Sequence, residues 1–249
     1  MNSISTVSNT PWFVRWFDSP YYHILYDHRD HREAEFFMQN LVTFLDLAPG
    51  AKLLDLPCGK GRHALFLNQL GYDVIGADLS ENSIAYAKQF ENEQLKFERH
   101  DMRTAFTTKF NAIFNLFTSF GYFNSTEENT VVLNNLKNGL APGGRIVIDF
   151  MNADYVSKHL VPKECIQKSG IDFNITRSIS KGHIVKEISF EAGGTPYHYV
   201  EQVAFLPFKQ LTEMVDLAGL KIQHTFGDYN LSPFDQEQSQ RLILILSWV

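Results

Sequence analysis

The segment LLDLPCGKGRH at residues 53–63 constrains the fold more than any other part of the chain. Its short apolar run, which contains Asp55, predicts a buried strand, and Gly59 and Gly61 lead into a helix. Glycine allows the backbone to approach a ligand closely, and a helix N-terminus offers free N–H groups to a carboxylate or a phosphate. The segment therefore predicts a strand, a ligand-binding loop and a helix in immediate succession.

The surrounding residues continue this alternation of strands and helices. Helices are predicted at residues 32–45, 62–70, 80–93 and 126–140, and strands at residues 53–56, 73–77, 95–99, 110–117 and 144–150. Strands that alternate with helices at this spacing predict a mostly parallel sheet that is covered on both faces.

The pattern changes after residue 154. Apolar and polar residues alternate between residues 171 and 203, with glycine turns at Gly182 and at residues 193–194. This alternation predicts a small antiparallel meander inserted into the parallel fold. A helix at residues 208–218 and strands at residues 221–226 and from Arg241 onward follow it.

No linker divides the chain, so we predict one domain over residues 1–249. Its predicted parts are an N-terminal aromatic and helical lid at residues 1–45, a core at residues 52–150, the meander at residues 171–205, and a C-terminal helix with the last two strands at residues 207–249.

Composition narrows the classes of partner. Lys and Arg total 22 against 28 for Asp and Glu, and this acidic balance weighs against nucleic acid. The longest apolar run, residues 242–246, is too short to span a bilayer. Only Cys58 and Cys165 occur, which predicts no disulfide framework and a cytoplasmic location. Histidine and cysteine do not stand at metal-ligand spacing, so no metal is predicted.

Acidic residues follow two further strands. Asp78 ends the second strand, where a carboxylate in an open α/β sheet faces the ribose of a bound nucleoside and can accept both hydroxyls. Asp101 follows the third strand and is next to Met102. An acceptor beside an apolar side chain suits adenine, whose amine donates while its face needs packing.

The motifs LLDLPCGKG, GADLS, HDM, FNLFTSFGYF and LAPGGRIVIDF span residues 52–150. Together they resemble the class I S-adenosylmethionine-dependent methyltransferases, especially the bacterial small-molecule type and, to a lesser degree, the tellurite-resistance enzymes. The resemblance implies a Rossmann-like, doubly wound, mostly parallel sheet of seven strands. It also implies S-adenosylmethionine as cofactor and in-line methyl transfer to a nitrogen or oxygen of a small molecule.

The resemblance also implies the residues that bind the cofactor. Asp55 and the loop at residues 59–61 cradle its methionine half, Asp78 holds the ribose, and Asp101 meets the adenine amine. The full implied set is Asp55, Pro57, Cys58, Gly59, Gly61, Arg62, Asp78, Leu79, Ser80, Asp101, Met102, Asn115, Leu116 and Phe117. Pro57 replaces the usual first glycine of the loop and lacks an N–H group.

Two other functions stay open. Residues 59–64 also satisfy G-x-G-x-x-A, the pattern of NAD(P)-dependent oxidoreductases, although the positions of Asp55 and Asp101 weigh against that class. A protein that binds S-adenosylmethionine or a nucleoside without catalysis is the third candidate, because a fold alone does not establish function.

The sequence does not identify the catalytic residue on the acceptor side. Tyr22, His23, Tyr26 and Tyr122 are the candidates to reach the acceptor. We expect the aromatic segment at residues 12–26 and the meander to form a roof that excludes water from the transfer. The alternative is that the meander forms an interface in a homodimer while the aromatic residues fill a core.

Overall fold

The computed structural model describes residues 11–26, 31–123 and 125–248. Its helices are α1 (Trp12–Phe17), α2 (Pro20–Leu25), α3 (His31–Leu45), α4 (Arg62–Gln69), α5 (Glu81–Ala87), α6 (Thr126–Gly139), α7 (Ala153–His159) and α8 (Phe208–Leu217). Its strands are β1 (Lys52–Asp55), β2 (Asp73–Asp78), β3 (Leu95–Arg99), β4 (Phe110–Asn115), β5 (Leu140–Met151), β6 (Lys163–Lys168), β7 (Ile171–Ser180), β8 (His183–Ala192), β9 (Thr195–Ala204), β10 (Leu220–Phe226) and β11 (Arg241–Trp248).

Seven of these strands form one sheet in the order β10-β11-β5-β4-β1-β2-β3. Strands β1 to β5 pair in parallel, while β11 runs antiparallel to both β5 and β10. One face is covered by α3, α4 and α5, and the other by α6 and α8. This arrangement confirms the predicted doubly wound, mostly parallel sheet.

Three predicted boundaries differ from the structure by more than one residue. The strand predicted to run to Phe117 ends at Asn115, because Phe117 and Thr118 have φ values of 56° and 61°. The helix predicted at residues 80–93 ends at Ala87 and continues as a 3-10 turn, Lys88–Phe90. Strand β5 begins at Leu140 and not at residue 144, and its register with β4 shifts between Phe110 and Ala112.

The inserted meander has four strands, in the order β6-β7-β8-β9, and the prediction missed the first. Strand β6 has the sequence KECIQK, whose one large aliphatic side chain makes no apolar alternation. Strands β7 and β8 do alternate, and their buried residues Phe173, Ile175, Ile188 and Phe190 form one apolar face.

The N-terminal helices pack on that apolar face. Trp16 of α1 and Leu25 of α2 are buried in the same cluster as Phe173 and Ile188. The ring of Trp16 lies 4.6 Å from that of Tyr199, and the ring of Tyr21 lies 4.7 Å from that of Phe190. The antiparallel sheet is therefore the support on which the N-terminal aromatic segment rests.

Candidate functional site

A cavity of about 430 Å³ lies where β1, β2, β3 and β4 end, below α1 and α2. Of the residues predicted to bind the cofactor, those that line it are Pro57, Cys58, Gly59, Arg62, Asp78, Leu79, Ser80, Asp101, Met102, Leu116 and Phe117. All four acceptor-side candidates, Tyr22, His23, Tyr26 and Tyr122, line it as well. Asp55, Gly61 and Asn115 do not form part of the cavity lining.

The carboxylate of Asp78 organises the floor of the cavity. One of its oxygens accepts the Gly59 N–H at 2.8 Å and the other accepts the Ser80 N–H at 2.8 Å. Burial raises its pKa, while these backbone donors oppose that shift. Asp78 thus joins the loop after β1 to the start of α5, a contact that sequence reasoning did not predict.

Gly61 begins α4 in a conformation that favours glycine. Its φ is +88°, and an added Cβ would lie 2.6 Å from the ring of Phe97. Any side chain at this position would therefore meet both backbone strain and a clash. Gly61 acts on the cavity through the path of the chain and not by lining it.

Asp55 and Asn115 lie buried next to the glycine loop. Asp55 Oδ2 accepts the Ala64 N–H at 3.2 Å, and Asn115 Nδ2 donates to the Leu56 carbonyl at 2.8 Å. Asp55 Oδ1 and Asn115 Oδ1 have no hydrogen-bond partner among the described residues. Burial raises the pKa of Asp55 to about 8. Because neither side chain lines the cavity, both act on it through the backbone that they hold, at Leu56 and Ala64.

Asp101 forms an ion pair with Arg103, a residue that the sequence did not indicate as part of the site. Arg103 donates from Nη2 to Asp101 Oδ2 at 2.7 Å and from Nη1 to Glu128 at 2.9 Å. These bonds lower the pKa of Asp101, so its carboxylate is ionised at neutral pH. The anionic acceptor expected beside Met102 is present, in a position that Arg103 holds.

Asp149 holds the loop after β4. This fully buried carboxylate accepts the Phe117 N–H at 2.8 Å and the Arg241 Nε–H at 2.8 Å. Its backbone carbonyl accepts the Thr118 N–H at 2.9 Å. Asp149 lies near the C-terminal end of β5, and the fold brings it to Arg241 and to the positive-φ residues Phe117 and Thr118.

The ring of Phe117 lies between groups from separate elements. It stacks on His63 at 5.1 Å and meets Tyr229 at 5.5 Å. The guanidinium of Arg62 lies 5.1 Å from the ring centroid. Tyr229 and Arg241 follow the meander in sequence, so the C-terminal part of the chain supports one wall of the cavity.

The acceptor end of the cavity is aromatic. Phe17 lies 4.9 Å from Tyr22 and 5.4 Å from Tyr122 between ring centroids. His23 is half-buried in this group, and its burial and the nearby Lys60 lower its pKa. The imidazole is therefore neutral at neutral pH and able to accept a proton.

The two parts of the predicted roof have different roles. Residues of the segment 12–26 line the cavity, and Ser80 at its rim donates a hydrogen bond to Asp18 of this segment. By contrast, no described lining residue comes from β6, β7, β8 or β9. The prediction that the meander itself roofs the acceptor is corrected: its apolar face is covered by the N-terminal helices, which separate it from the cavity.

Two further absences apply to the part of the chain that the structure describes. None of its helices has the length and apolar character needed to cross a bilayer. Nor does it bring together three or more side chains that could hold a metal ion.

Comparison with known proteins places this geometry in a family. A family model described as a methyltransferase domain matches residues 47–200. The probable S-adenosyl-L-methionine-dependent methyltransferase TehB of Haemophilus influenzae is 35% identical over 121 residues, 47% of this chain and 42% of that protein. The dTDP-3-amino-3,4,6-trideoxy-alpha-D-glucopyranose N,N-dimethyltransferase of Streptomyces venezuelae is 31% identical over 100 residues, 40% of this chain and 42% of that protein.

The matched region spans less than half the length of these two relatives. A solved S-adenosylmethionine-dependent methyltransferase from Clostridium acetobutylicum shares the fold, with a TM-score of 0.78 and 16% identity over 92% of this chain and 96% of that one. The family model covers more than half of the chain and includes the glycine loop and all three acids. The chain belongs to the methyltransferase-domain family, the class I S-adenosylmethionine-dependent methyltransferases, and its cofactor is S-adenosylmethionine.

Proposed function

We propose that this protein transfers the methyl group of S-adenosylmethionine to a nitrogen atom of a small molecule. The observation that carries the proposal is the single cavity of about 430 Å³ that joins the glycine loop and acids to the aromatic N-terminal segment. Its volume falls in the range of small-molecule sites. The Streptomyces relative, named as an N,N-dimethyltransferase of an amino sugar, favours nitrogen over oxygen as the acceptor atom.

The cofactor side divides into three contacts. The glycine loop receives the methionine half, and Asp55 and Asn115 hold this loop and the start of α4 from behind the cavity wall. In this proposal Asp78 accepts the ribose hydroxyls and Asp101 accepts from the adenine amine, and both residues line the cavity. The sulfonium of the cofactor supplies an activated methyl group, so the protein needs only to bind, orient and exclude water.

The acceptor side orients a nucleophile and removes a proton. An amine attacks only when its lone pair is free, so the proton that it loses must reach a base. His23, neutral because of its lowered pKa, has the chemistry for this step, and Tyr22, Tyr26 and Tyr122 surround the same space. We assign His23 as the base and the tyrosines as orienting groups.

The proposal also covers the cellular location and the partners of the protein. A cytoplasmic location agrees with two cysteines that form no disulfide, Cys58 buried and Cys165 exposed. The acidic net charge of -6 favours a small molecule over nucleic acid as partner. A homodimer remains a prediction, and the outer face of the antiparallel sheet, with Asn174, Ser189 and His198 exposed, is polar.

The test combines calorimetry with a matched pair of acceptors. We expect S-adenosylhomocysteine to bind, with no comparable binding of NAD(H), and the enzyme to methylate an amino sugar but not the same sugar with a hydroxyl in place of the amine. Binding of NAD(H) alone would overturn the cofactor assignment. Methylation of only the hydroxyl sugar would overturn the choice of nitrogen.

Asp78→Asn tests the proposed ribose contact. The amide cannot accept on both sides, so we expect cofactor binding to weaken by about 2–3 kcal/mol. Because the lost acceptor also holds the Gly59 or Ser80 N–H, stability of the free protein should fall by about 1 kcal/mol. Asp73→Asn on the same strand is the control: it should leave cofactor affinity unchanged and lower stability by less than Asp78→Asn does. Unchanged cofactor affinity in folded Asp78→Asn would mean that the ribose lies elsewhere.

A further inference from the structure

A charged pair of the antiparallel sheet contacts Tyr26, a residue that lines the acceptor end of the cavity. Lys186 of β8 and Glu201 of β9 stand directly opposite each other, with Nζ 3.8 Å from Oε2 and side-chain exposures of 13% and 18%. Glu201 Oε1 accepts the Trp16 Nε1–H at 2.6 Å and the Tyr26 hydroxyl at 2.6 Å. Lys186 donates to the Tyr26 oxygen, and its ammonium lies 4.6 Å from the centroid of that ring.

Packing alone does not require these charges. They lie beside the apolar face formed by Ile188, Phe190 and their neighbours, onto which the N-terminal helices pack. Burying a charged pair costs desolvation, and an apolar pair of similar volume is often equally stabilising. The charged pair instead makes directional hydrogen bonds, and both of its members fix the position of the Tyr26 hydroxyl.

That hydroxyl belongs to a residue that lines the cavity. The Tyr26 hydroxyl donates a hydrogen bond to Glu201. Its oxygen can therefore interact with a ligand in the cavity only as a hydrogen-bond acceptor. A ligand that carries an N–H or O–H group fits such an oxygen. Trp16, held by the same carboxylate oxygen, fixes α1 on the sheet at the same point.

We propose that Lys186 and Glu201 are positioning residues for methyl transfer, which hold the Tyr26 hydroxyl where it orients the methyl acceptor. The antiparallel sheet then acts on the acceptor through α1 and α2 without lining the cavity. This inference rests on the proposed function.

Glu201→Gln and Tyr26→Phe, singly and together, test the proposal by steady-state kinetics on the amino-sugar acceptor. We expect Glu201→Gln to change acceptor KM or kcat by at least about tenfold, with S-adenosylhomocysteine affinity within about twofold of wild type. In the Tyr26→Phe background, Glu201→Gln should cause little further change in KM or kcat, because both substitutions disrupt the same Tyr26–Glu201 hydrogen bond.

Glu164→Gln is the matched control, since Glu164 pairs with Arg177 in the same sheet and not with a residue of α1 or α2. It should leave KM and kcat unchanged. A purely structural pair would lower the melting temperature without changing KM or kcat, and that result would overturn the proposal. Additive kinetic effects of Glu201→Gln and Tyr26→Phe would overturn it as well.

Limited proteolysis, which does not depend on methyl transfer, tests this proposal independently of the proposed function. Arg15 is an exposed tryptic site on α1. With S-adenosylhomocysteine bound, Glu201→Gln should speed cleavage after Arg15 about tenfold, and Glu164→Gln should not, because only the first loosens α1. Absence of methylation in the wild type with this cleavage pattern would refute the proposed function alone. Equal cleavage of the two variants would refute the positioning role.

Discussion

Replacing Asp149 with Asn tests a fully buried carboxylate that holds the loop after β4. Asp149 is fully buried, and its oxygens accept from Arg241 Nε at 2.8 Å, from the Phe117 N–H at 2.8 Å and from the Tyr229 hydroxyl at 3.4 Å. Arg241 Nη2 also lies 2.6 Å from Asp149 Oδ1. Asparagine keeps the shape but removes the charge and turns one acceptor into a donor.

The size of the effect follows from these contacts. Breaking a buried ion pair costs about 3–5 kcal/mol, and we take about 2–3 kcal/mol because the Arg241 side chain is 22% exposed. A second donor, the Phe117 N–H or the guanidinium, also loses its acceptor, which costs about 1 kcal/mol more. We therefore expect Asp149→Asn to lower the free energy of unfolding by about 3–4 kcal/mol.

Urea denaturation measures this difference, with Asp73→Asn as control. Asp73 pairs with Lys52 at 3.2 Å on the surface, with side-chain exposures of 37% and 39%, so its loss should cost less than about 1 kcal/mol. We also expect weaker binding of S-adenosylhomocysteine by Asp149→Asn, because Phe117 lines the cavity and its positive φ is no longer held. Two variants of equal stability would refute the reasoning that Asp149 and Arg241 form a buried pair.

Two further predictions concern the loop after β1. Gly61→Ala should destabilise the protein by more than about 3 kcal/mol, because it combines a positive φ with a contact 2.6 Å from the Phe97 ring. Gly59→Ala, with a φ of +55° but open space, should cost about 1 kcal/mol, and equal losses in thermal unfolding would refute the steric argument. Asp55 has a folded pKa of about 8, against about 3.9 in an unfolded chain, so between these pH values only the unfolded state is ionised. Its contribution to stability should therefore be complete below about pH 4 and be lost as pH rises to about 8. Urea titrations across this range should show a smaller decline for Asp55→Asn than for the wild type, and identical pH profiles would contradict the assignment.

The sequence by itself determined the order of the helices and strands, and it identified the edge of the parallel sheet at which the ligand binds. The glycines of the loop and the acids Asp55, Asp78 and Asp101 are each next to the end of a strand, which is a local signal. Because the carboxyl ends of parallel strands meet at one edge of a sheet, that signal also predicts that these residues gather there. Strand β6 was missed because KECIQK lacks the apolar alternation by which a strand is recognised.

Only the tertiary structure decided which side chains meet across the chain. Asp149 and Arg241 are 92 residues apart, and Tyr26 and Glu201 are 175 apart, so no periodicity in the sequence connects them. The positive φ of Phe117 and the double hydrogen bond of Asp78 likewise depend on neighbours from other elements. Periodicity reflects the backbone geometry of one segment, whereas ion pairs and bent loops are stabilised by packing between segments, and that packing exists only in the folded chain.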